Sequence, residues 1–384
     1  MIKNINAITL ATYFTMFFLG VAGSLIGAAA RNIGLEPYQI GLLTSIQNVG
    51  FMISVSISGA LADTHEKPKI LAIGSLILAA SFFGFYQFEL FWINILIMLF
   101  IGIGVGTYEG VTDVLLLDIH PKRAGLHISV NHFFVTFGSI IITVYLIFLQ
   151  MNWRNSLMQA AVVVLLLAIF FTLVRVKSPK KQTERFIKRL QVLIQEKIVI
   201  VLFIATALTV GVELGSISIL TTFLMDQHNF TQVTSKIGLL LFLTGIAVGR
   251  IIIGFLTRRE QLVRNLIIMF GFAFFIFSGL YFMDLNVGIY LVLFLAGFSL
   301  SALLPLIFTF AGLYYPESAG AVLGAIKVAI PIGGIILPLA MSIIARNSSF
   351  QISLIVYPLS LLLAFFLLFI VIRGESLNGT AVEN

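Results

Sequence analysis

Six ionisable residues lie inside long apolar stretches of the sequence, and their side chains could carry protons or bind charged solutes. They are Glu109, Asp113, His132, Glu213, Arg250 and Lys327. A charge at the centre of a lipid bilayer costs about 2.5–3.5 kcal/mol on insertion scales. Such residues therefore usually face a polar cavity or pair with one another, and they commonly belong to proton relays and solute pathways.

Glu109 is predicted to be the proton carrier, with Glu213 as a second titrating site. Glu109, His132 and Lys327 each lie about eight residues from the end of their apolar stretch, a depth of about 12 Å. Competition between a proton, a solute and Lys327 for the Glu109 carboxylate would couple the movement of the proton to that of the solute. The alternative for Glu109 is a static pair with Lys327 or His132, and for Glu213 a hydrogen-bonded acid at a helix contact.

Asp113 follows Glu109 by one helical turn, so the two carboxylates share a helix face. Asp113 is predicted either to contact a solute or to pair with Arg250, which is predicted to act as a gate. Other polar and aromatic side chains in the apolar stretches could hold a polyhydroxyl solute, although each could instead serve packing. The predicted solute-binding residues are Gln47, Asn48, Tyr108, Asp113, Asn131, His132 and Lys327.

The composition excludes several classes of protein. Hydrophobic residues make up 59% of the 384 residues and charged residues only 10%, whereas soluble proteins carry about 25% charged residues. The absence of cysteine excludes disulfides, thiolate metal sites and cysteine nucleophiles. The sequence contains no evident metal-ligand cluster or phosphate-cradling motif. We therefore expect no enzyme, no metal and no cofactor, and a proton or sodium gradient as the driving force.

The apolar residues form twelve stretches that could cross a membrane, since a spanning helix needs about 20 such residues. The sequence therefore predicts an all-α membrane protein with twelve transmembrane helices. The predicted spans are 7–30, 38–61, 70–87, 91–116, 124–149, 155–174, 198–223, 235–256, 261–283, 288–312, 319–344 and 350–372.

The basic residues indicate how the chain is oriented, because cytoplasmic loops collect Lys and Arg. One side of the predicted membrane holds 17 of the 23 basic residues, whereas the other holds only Arg31, Arg154, Lys236 and Arg346. Both termini are therefore predicted to be cytoplasmic, in a bacterial inner membrane. The net charge of +7 is explained by this topology and does not indicate a nucleic-acid partner.

A basic segment divides the chain near its middle. The predicted organisation is an N-terminal six-helix bundle at 1–175, a cytoplasmic linker at 176–197, a C-terminal six-helix bundle at 198–373 and a cytoplasmic tail at 374–384. The linker is either a solvated tether or an amphipathic helix on the inner leaflet. The apolar face of such a helix would carry Phe186, Leu190, Leu193 and Ile194.

An internal repeat relates the two predicted bundles. When the sequence is shifted by 195 residues, seven of the fifteen glycines before the linker meet another glycine, where chance gives about one. Gly50 meets Gly245, and Gly102 meets Gly297. Because small residues allow helices to approach closely in lipid, equivalent glycines indicate equivalent helix contacts. The sequence therefore predicts two pseudo-symmetric bundles.

The segment between the second and third predicted spans reads Gly59-Ala-Leu-Ala-Asp63-Thr-His-Glu-Lys67. It resembles the hallmark loop of the major facilitator superfamily, although Thr64 and Glu66 depart from the family pattern. The resemblance implies the major facilitator fold, a solute site between the two halves and transport by alternating access. It also implies that Gly59, Asp63 and Lys67 act in gating, by locking the cytoplasmic side.

A narrower resemblance lies in the fourth and fifth predicted spans. The segment from Gly104 to Asp113 resembles the G-x-G-x-x-E-x-x-x-N segment of the fucose–galactose–proton symporter branch. His132-Phe-Phe-Val-Thr-Phe-Gly is similar to the Q-x-F-x-x-F-G of that branch. The resemblance implies that Glu109 takes part in proton coupling. The acid that the branch carries in its first span has no counterpart here.

These observations predict a monomeric secondary transporter that carries a small-molecule solute across the lipid bilayer. The favoured cargo is a small polar solute such as a sugar, in symport with protons, and sodium is open as the coupling ion. The first alternative is a carrier of an anionic solute, either a sugar acid or an organophosphate, with Lys327 as the counter-charge. The others are an exporter of amphipathic compounds and a non-transporting receptor with a carrier fold.

Overall fold

The computed structural model describes residues 4–62, 65–120, 124–149, 152–176, 196–256, 261–315 and 319–377. Over these residues the chain forms fifteen α-helices and one short 3-10 helix. Twelve helical segments are long and apolar enough to cross a membrane. The predicted fold class, an all-α membrane protein with twelve spans, is therefore confirmed.

Each of the first six spans is one continuous helix. These helices are α1 (Ile5–Ile33), α2 (Pro37–Ala62), α3 (Lys67–Gly84), α4 (Phe91–Ile119), α5 (Ala124–Leu149) and α6 (Trp153–Leu173). The third span begins at Lys67, three residues earlier than the predicted start at residue 70. Pro68 allows this early start, because proline in the first turn of a helix loses no hydrogen bond.

The ends of α1 show how local sequence sets the bounds of a helix. The Asn4 side-chain oxygen accepts hydrogen bonds from the backbone N–H groups of Asn6 at 3.0 Å and Ala7 at 3.3 Å. This is the usual capping arrangement at a helix N-terminus. At the other end Gly34 adopts a φ of 83°, which glycine reaches without strain, and the chain turns out of the helix.

Three of the last six spans are interrupted, although each is one apolar stretch in the sequence. The helices are α7 (Lys197–His228), α8 (Gln232–Leu256), α9 (Leu262–Phe282), α10 (Ile289–Ser301), α11 (Leu303–Tyr314), α12 (Ala319–Lys327), α13 (Ala329–Asn347), α14 (Phe350–Ser353) and α15 (Val356–Leu377). The breaks fall between α10 and α11, between α12 and α13, and between α14 and α15.

A proline follows each of these breaks. Pro305, Pro331 and Pro358 are each the third residue of the helix that follows the break. Proline lacks an N–H group and its ring clashes with the carbonyl four residues earlier, so a regular helix cannot run through without distortion. For Pro331 that earlier residue is Lys327, the last residue of α12.

The described residues divide by their contacts into two units. The first unit is Met1–Lys181 with Ile217–Leu240, and the second is Gln182–Ser216 with Leu241–Asn384. In the first unit α2 packs along α4, α1 along α5 and α3 along α6, whereas in the second α9 contacts α10 and α15. Residues 177–195 of the predicted linker, with the possible amphipathic helix, lie outside the described residues.

The internal repeat appears as the same backbone contacts in both units. A Cβ atom at Gly50 would overlap the carbonyl oxygen of Leu99, and one at Gly245 would overlap that of Phe294, 195 residues later. A Cβ atom at Gly102 would likewise overlap the carbonyl of Gln47, and one at Gly297 that of Phe242. The pairing of α2 with α4 is thus repeated by α8 with α10, at the positions that the 195-residue shift predicts.

Large apolar side chains are exposed along the helices. Examples are Trp92 on α4, Phe275 on α9 and Leu363 on α15. An exposed apolar surface of this extent is unfavourable in water, and it is the surface expected of helices that face lipid tails.

Candidate functional site

Three of the predicted site residues come together in the first unit. Glu109 and Asp113 lie one turn apart on α4, and His132 projects from α5. A carboxylate oxygen of each acid and a ring nitrogen of His132 all lie within 4.8 Å of one another. The i, i+4 spacing of the two acids places them on one helix face, and the packing of α5 brings the imidazole to that face.

Asp113 is held on both of its carboxylate oxygens. His132 Nε2 lies 3.1 Å from Asp113 Oδ2, and Asn131 Nδ2 donates to Asp113 Oδ1 at 3.1 Å. Asn131 Nδ2 also lies 3.0 Å from Thr112 Oγ1. Asn131 is fully buried and uses its amide to position Asp113, whereas the His132 side chain is 40% exposed.

Glu109 differs from Asp113 in its surroundings. In the part of the chain that the structure describes, Glu109 takes part in no hydrogen bond or ion pair. Its half-buried carboxyl group lies beside the Asp113–His132 pair. It can therefore gain a hydrogen-bond partner or a proton without losing an existing contact.

The same three side chains could hold a metal ion. Two carboxylate oxygens and one imidazole nitrogen within 4.8 Å are a suitable ligand set for a divalent transition metal. The sequence predicted no metal ligands, because the spacing of Glu109, Asp113 and His132 matches no metal motif. The cluster forms through the packing of α4 against α5, which the sequence alone does not specify.

Arg250 has an acidic partner within the second unit. Its Nη2 donates to Glu213 Oε1 at 3.0 Å, and the alternative that Asp113 pairs with Arg250 stays a prediction. Glu213 lies at the middle of α7, where it meets the guanidinium of Arg250 on α8. Glu213 is therefore an ion-paired acid, and Arg250 ties α8 to α7 whether or not it also acts as a gate.

Three predicted solute-binding residues have buried side chains with other partners. Tyr108 is fully buried and donates from its hydroxyl to Ser75 Oγ at 2.8 Å, so it joins α4 to α3. Gln47 donates to the Ala22 carbonyl at 3.2 Å, and Asn48 donates to a carbonyl of its own helix. These positions fit packing better than the predicted solute contact, because a buried polar group satisfied by protein offers little to a solute.

The predicted gating motif is tied down at its last residue. Lys67 is only 2% exposed, and its Nζ lies 2.8 Å from Asp118 Oδ2 at the end of α4. The contact joins α3 to α4, and the gating role of Lys67 stays a prediction. Gly59 lies within α2, and a Cβ atom added there would lie 3.9 Å from the Gly110 carbonyl oxygen. Asp63 lies outside the described residues.

Lys327 is exposed at the last position of α12, where the eleventh span breaks. Among the described residues it has no hydrogen bond or ion pair. It occupies the position equivalent to His132 under the 195-residue shift. Each unit therefore carries one exposed base at the same repeat position.

The sequence did not single out one pair of histidines that the structure brings together. The rings of His120 and His127 stack with centroids 3.7 Å apart. Thr9 Oγ1 lies 2.7 Å from His120 Nε2, and Tyr13 Oη lies 2.5 Å from His127 Nδ1. Burial, with a smaller contribution from His127, lowers the pKa of the His120 imidazole. The seven-residue spacing gives no signal of stacking, so only the structure reveals this pair.

Comparison with known families gives a match over most of the chain. The family model of the Major Facilitator Superfamily matches residues 8–336. The mouse sphingosine-1-phosphate transporter SPNS2 is 30% identical over 122 residues, which are 31% of this chain and 22% of that protein. The putative metabolite transport protein YwtG of Bacillus subtilis (strain 168) is 27% identical over 153 residues, 39% of this chain and 34% of that protein. The matches thus span about a fifth and a third of these relatives.

Solved structures resemble the chain along nearly its whole length. A bacterial homologue of the human lysosomal transporter Spinster gives a TM-score of 0.76 at 15% identity, covering 97% of this chain and 98% of that one. A mutant of the nucleoside transporter NupG gives 0.79 at 14% identity, covering 95% and 99%. A D-xylose–proton symporter gives 0.74 at 13% identity, covering 95% and 97%. At these identities the likeness establishes the fold alone.

Proposed function

The chain belongs to the Major Facilitator Superfamily, and we propose that it is a proton-coupled symporter of a small polar solute such as a sugar. It is a transporter and not an enzyme. We further propose that it acts by alternating access as a monomer in a bacterial inner membrane, with both termini in the cytoplasm. One of its structural neighbours is a D-xylose–proton symporter, which supports this choice of cargo and ion.

The observation that carries the proposal is the difference between the two acids on α4. Asp113 is held by His132 and Asn131, whereas Glu109 has no hydrogen bond or ion pair among the described residues. A carboxyl group that is free inside a membrane span can exchange a proton without breaking a structural contact. We therefore assign proton transfer to Glu109, and Asp113 and His132 to the polar surface that the solute contacts.

For Glu213 we propose a structural role in place of the titrating role that the sequence predicts. A Glu213 that is bonded to Arg250 at 3.0 Å would have to break that contact before it could take up a proton. We therefore propose Glu109 as the principal coupling residue and treat Glu213 as part of a structural pair. This choice leaves one coupling carboxylate in the first unit and none in the second.

The experiment is a solute-driven pH measurement in proteoliposomes that contain the purified full-length protein. Neutral sugars are added outside in the presence of EDTA, and the external pH is recorded. We expect the medium to become more alkaline with a transported sugar, because the symporter removes protons with it. An absence of any sugar-driven pH change across the panel would contradict the proposal. A response that needs an added divalent metal would instead assign the three-residue cluster to a metal ion.

A carrier of anionic solutes is the second candidate, and the exposure of Lys327 favours it. An exposed ammonium in a span, with no ion pair among the described residues, is a ready counter-charge for a carboxylate or phosphate. The mouse relative is named as a transporter of a phosphorylated compound, sphingosine-1-phosphate. A flux of sugar acids or organophosphates that Lys327→Gln abolishes, with no flux of neutral sugars, would select this function.

A further inference from the structure

A second group of charged residues lies in the first unit, at the C-terminal end of α1. It is separate from the cluster of Glu109, Asp113 and His132. Arg31 and Asn32 end α1, and Gln232 and Lys236 belong to the first turns of α8. Together with Thr221 and neighbouring residues they line one pocket. The distribution of basic residues predicts that this end of the helices faces outwards.

Lys236 is the unusual member of this group. It is only 3% exposed, and among the described residues it forms no hydrogen bond or ion pair. A lysine side chain that is buried without a partner is costly, so buried lysines are normally paired. The first turns of a helix make the cost larger, since the N-terminal end of the helix dipole repels a cation and attracts an anion.

Arg31 supplies a second unsatisfied donor at the same pocket. Its guanidinium forms an ion pair with Asp226 of α7 through Nη2, but its buried Nε has no hydrogen-bond partner. The hydroxyl of Thr221 donates to the Gly27 carbonyl, and Asn32 Nδ2 donates to Gln232 Oε1 at 2.7 Å. These contacts occupy the Gly27 carbonyl and Gln232 Oε1, and they leave two cationic donors without an acceptor among the described residues.

The charges of the group do not balance. Arg31 and Lys236 carry two positive charges, and Asp226 carries one negative charge. One monovalent anion would neutralise the remainder and accept hydrogen bonds from Lys236 Nζ and Arg31 Nε. In this structure the side chains leave no room for a water molecule between them. An anion must therefore enter as the flexible four-carbon chain of Lys236 changes its rotamer.

We propose that Lys236 and Arg31 form a binding site for a small free anion, such as chloride or formate. The bound anion bridges the start of α8 to the end of α1 and reinforces the Arg31–Asp226 and Asn32–Gln232 contacts. This site is separate from the Glu109 cluster. The proposal of an anion site therefore does not depend on the proposed transport function. Its consequence is that the stability of this arrangement of α1, α7 and α8 depends on the anion in solution.

Thermal unfolding of the purified full-length protein in detergent tests the proposal. Sodium chloride is titrated against sodium gluconate at constant ionic strength, because gluconate carries the same charge on a much larger ion. We expect a saturable rise of the unfolding midpoint with chloride. Lys236→Gln should raise the chloride concentration for half of the effect at least about tenfold, since it removes one of two charged partners. Lys236→Arg should keep the response.

Lys69→Gln is the matched control, because Lys69 is exposed and pairs with the nearby Glu66 on the surface. It should respond to chloride as the wild type does. An equal midpoint of the wild type in chloride and gluconate, or an unchanged chloride response in Lys236→Gln, would overturn the proposal. Stabilisation by phosphatidylglycerol micelles in gluconate, with no effect of chloride, would assign the charges to a lipid headgroup and would also overturn it.

A measurement on the wild type covers the case in which Lys236→Gln does not fold. Crystals grown in sodium bromide should show an anomalous peak in contact with Lys236 Nζ and Arg31 Nε. Bromide has the charge of chloride and nearly its size, and its anomalous signal identifies it without reference to activity. Bromide peaks elsewhere with none at this position would contradict the assignment.

Discussion

Asp113 and Glu109 show how neighbouring residues of one type acquire different roles. Both are acids on one face of α4, yet Asp113 is fixed by His132 and Asn131, while Glu109 has no hydrogen bond or ion pair in the described part of the chain. The helical spacing in the sequence predicts their proximity. It does not predict which acid is held, because that depends on the register of α5 against α4.

The other ion pairs show the same limit of prediction. The sequence places Arg250 and Glu213 inside spans, where a partner is expected, but it does not single out their contact with each other. A lysine in a motif loop likewise gives no sign that Lys67 will be buried against Asp118. Each partner is fixed by the rotation and register of two helices relative to each other. The spacing of residues along one helix does not predict either quantity.

The Glu213–Arg250 pair predicts a recoverable loss of stability. Glu213→Gln alone or Arg250→Gln alone should destabilise the protein by about 1–3 kcal/mol. This is less than a fully buried pair would lose, because about a third of the Arg250 side chain is exposed. The double variant should regain part of the loss, since no uncompensated charge is left. Unfolding midpoints in detergent provide the measurement, and strictly additive losses would contradict the pairing.

The stacked histidines predict a stability that falls in acid. The pKa of His120 is lowered in the folded protein, so the unfolded chain binds more protons. Stability from this group is complete above the unfolded pKa of about 6.5 and is lost as the pH falls towards the folded value. The unfolding midpoint should therefore drop between pH 7.5 and pH 5.5.

His120→Gln should flatten this part of the pH profile, while His65→Gln should not change it, because His65 is exposed. Midpoints recorded every half pH unit would show the difference. A wild-type profile that is unchanged by His120→Gln would show that other groups cause the acid sensitivity.

At the scale of helices, glycine and proline explain where the elements approach and where they break. The close approach of α2 to α4 depends on Gly50 and Gly102, and the repeat predicted that α8 and α10 meet in the same way. The prolines of the tenth and eleventh spans make hinges possible, but the hydropathy of the last three spans does not show that they break. Hydropathy measures only the length of an apolar stretch, whereas Pro305 and Pro331 break the helix without changing its hydropathy.

The glycine contacts predict matched effects in the two units. Gly102→Ala should destabilise the protein by about 1–3 kcal/mol, because a Cβ atom there would overlap the Gln47 carbonyl and force the helices apart. Gly297→Ala should cost a similar amount, since its environment repeats that of Gly102. Gly23→Ala is the control, because no atom lies within 4 Å of the added carbon. Equal midpoints for all three variants would contradict close packing at these contacts.

At the scale of the whole molecule, composition and periodicity were sufficient for the fold. An apolar surface, twelve spans and an internal repeat were readable from the sequence, and the family match over residues 8–336 agrees with them. The cargo was not readable in the same way. A solute is recognised by a few polar groups whose directions depend on packing, and Tyr108, Gln47 and Asn48 direct those groups to the protein itself.

The predicted orientation can be tested on the natural chain, which contains no cysteine. Arg154→Cys and Arg346→Cys should react with a membrane-impermeant maleimide in intact cells, because the positive-inside distribution places both outside. Lys69→Cys should react only after the membrane is permeabilised. The reverse labelling pattern would show that the termini are not cytoplasmic.

The most direct test of the central claim compares solute exchange with solute accumulation in proteoliposomes for Glu109→Gln. Exchange needs solute binding and alternating access but no net proton movement, whereas accumulation against a gradient requires coupling to protons. We predict that Glu109→Gln keeps exchange and loses accumulation driven by a pH gradient, while Glu36→Gln, at an exposed position, keeps both. Accumulation by Glu109→Gln at the wild-type level would contradict the assignment of proton coupling to Glu109.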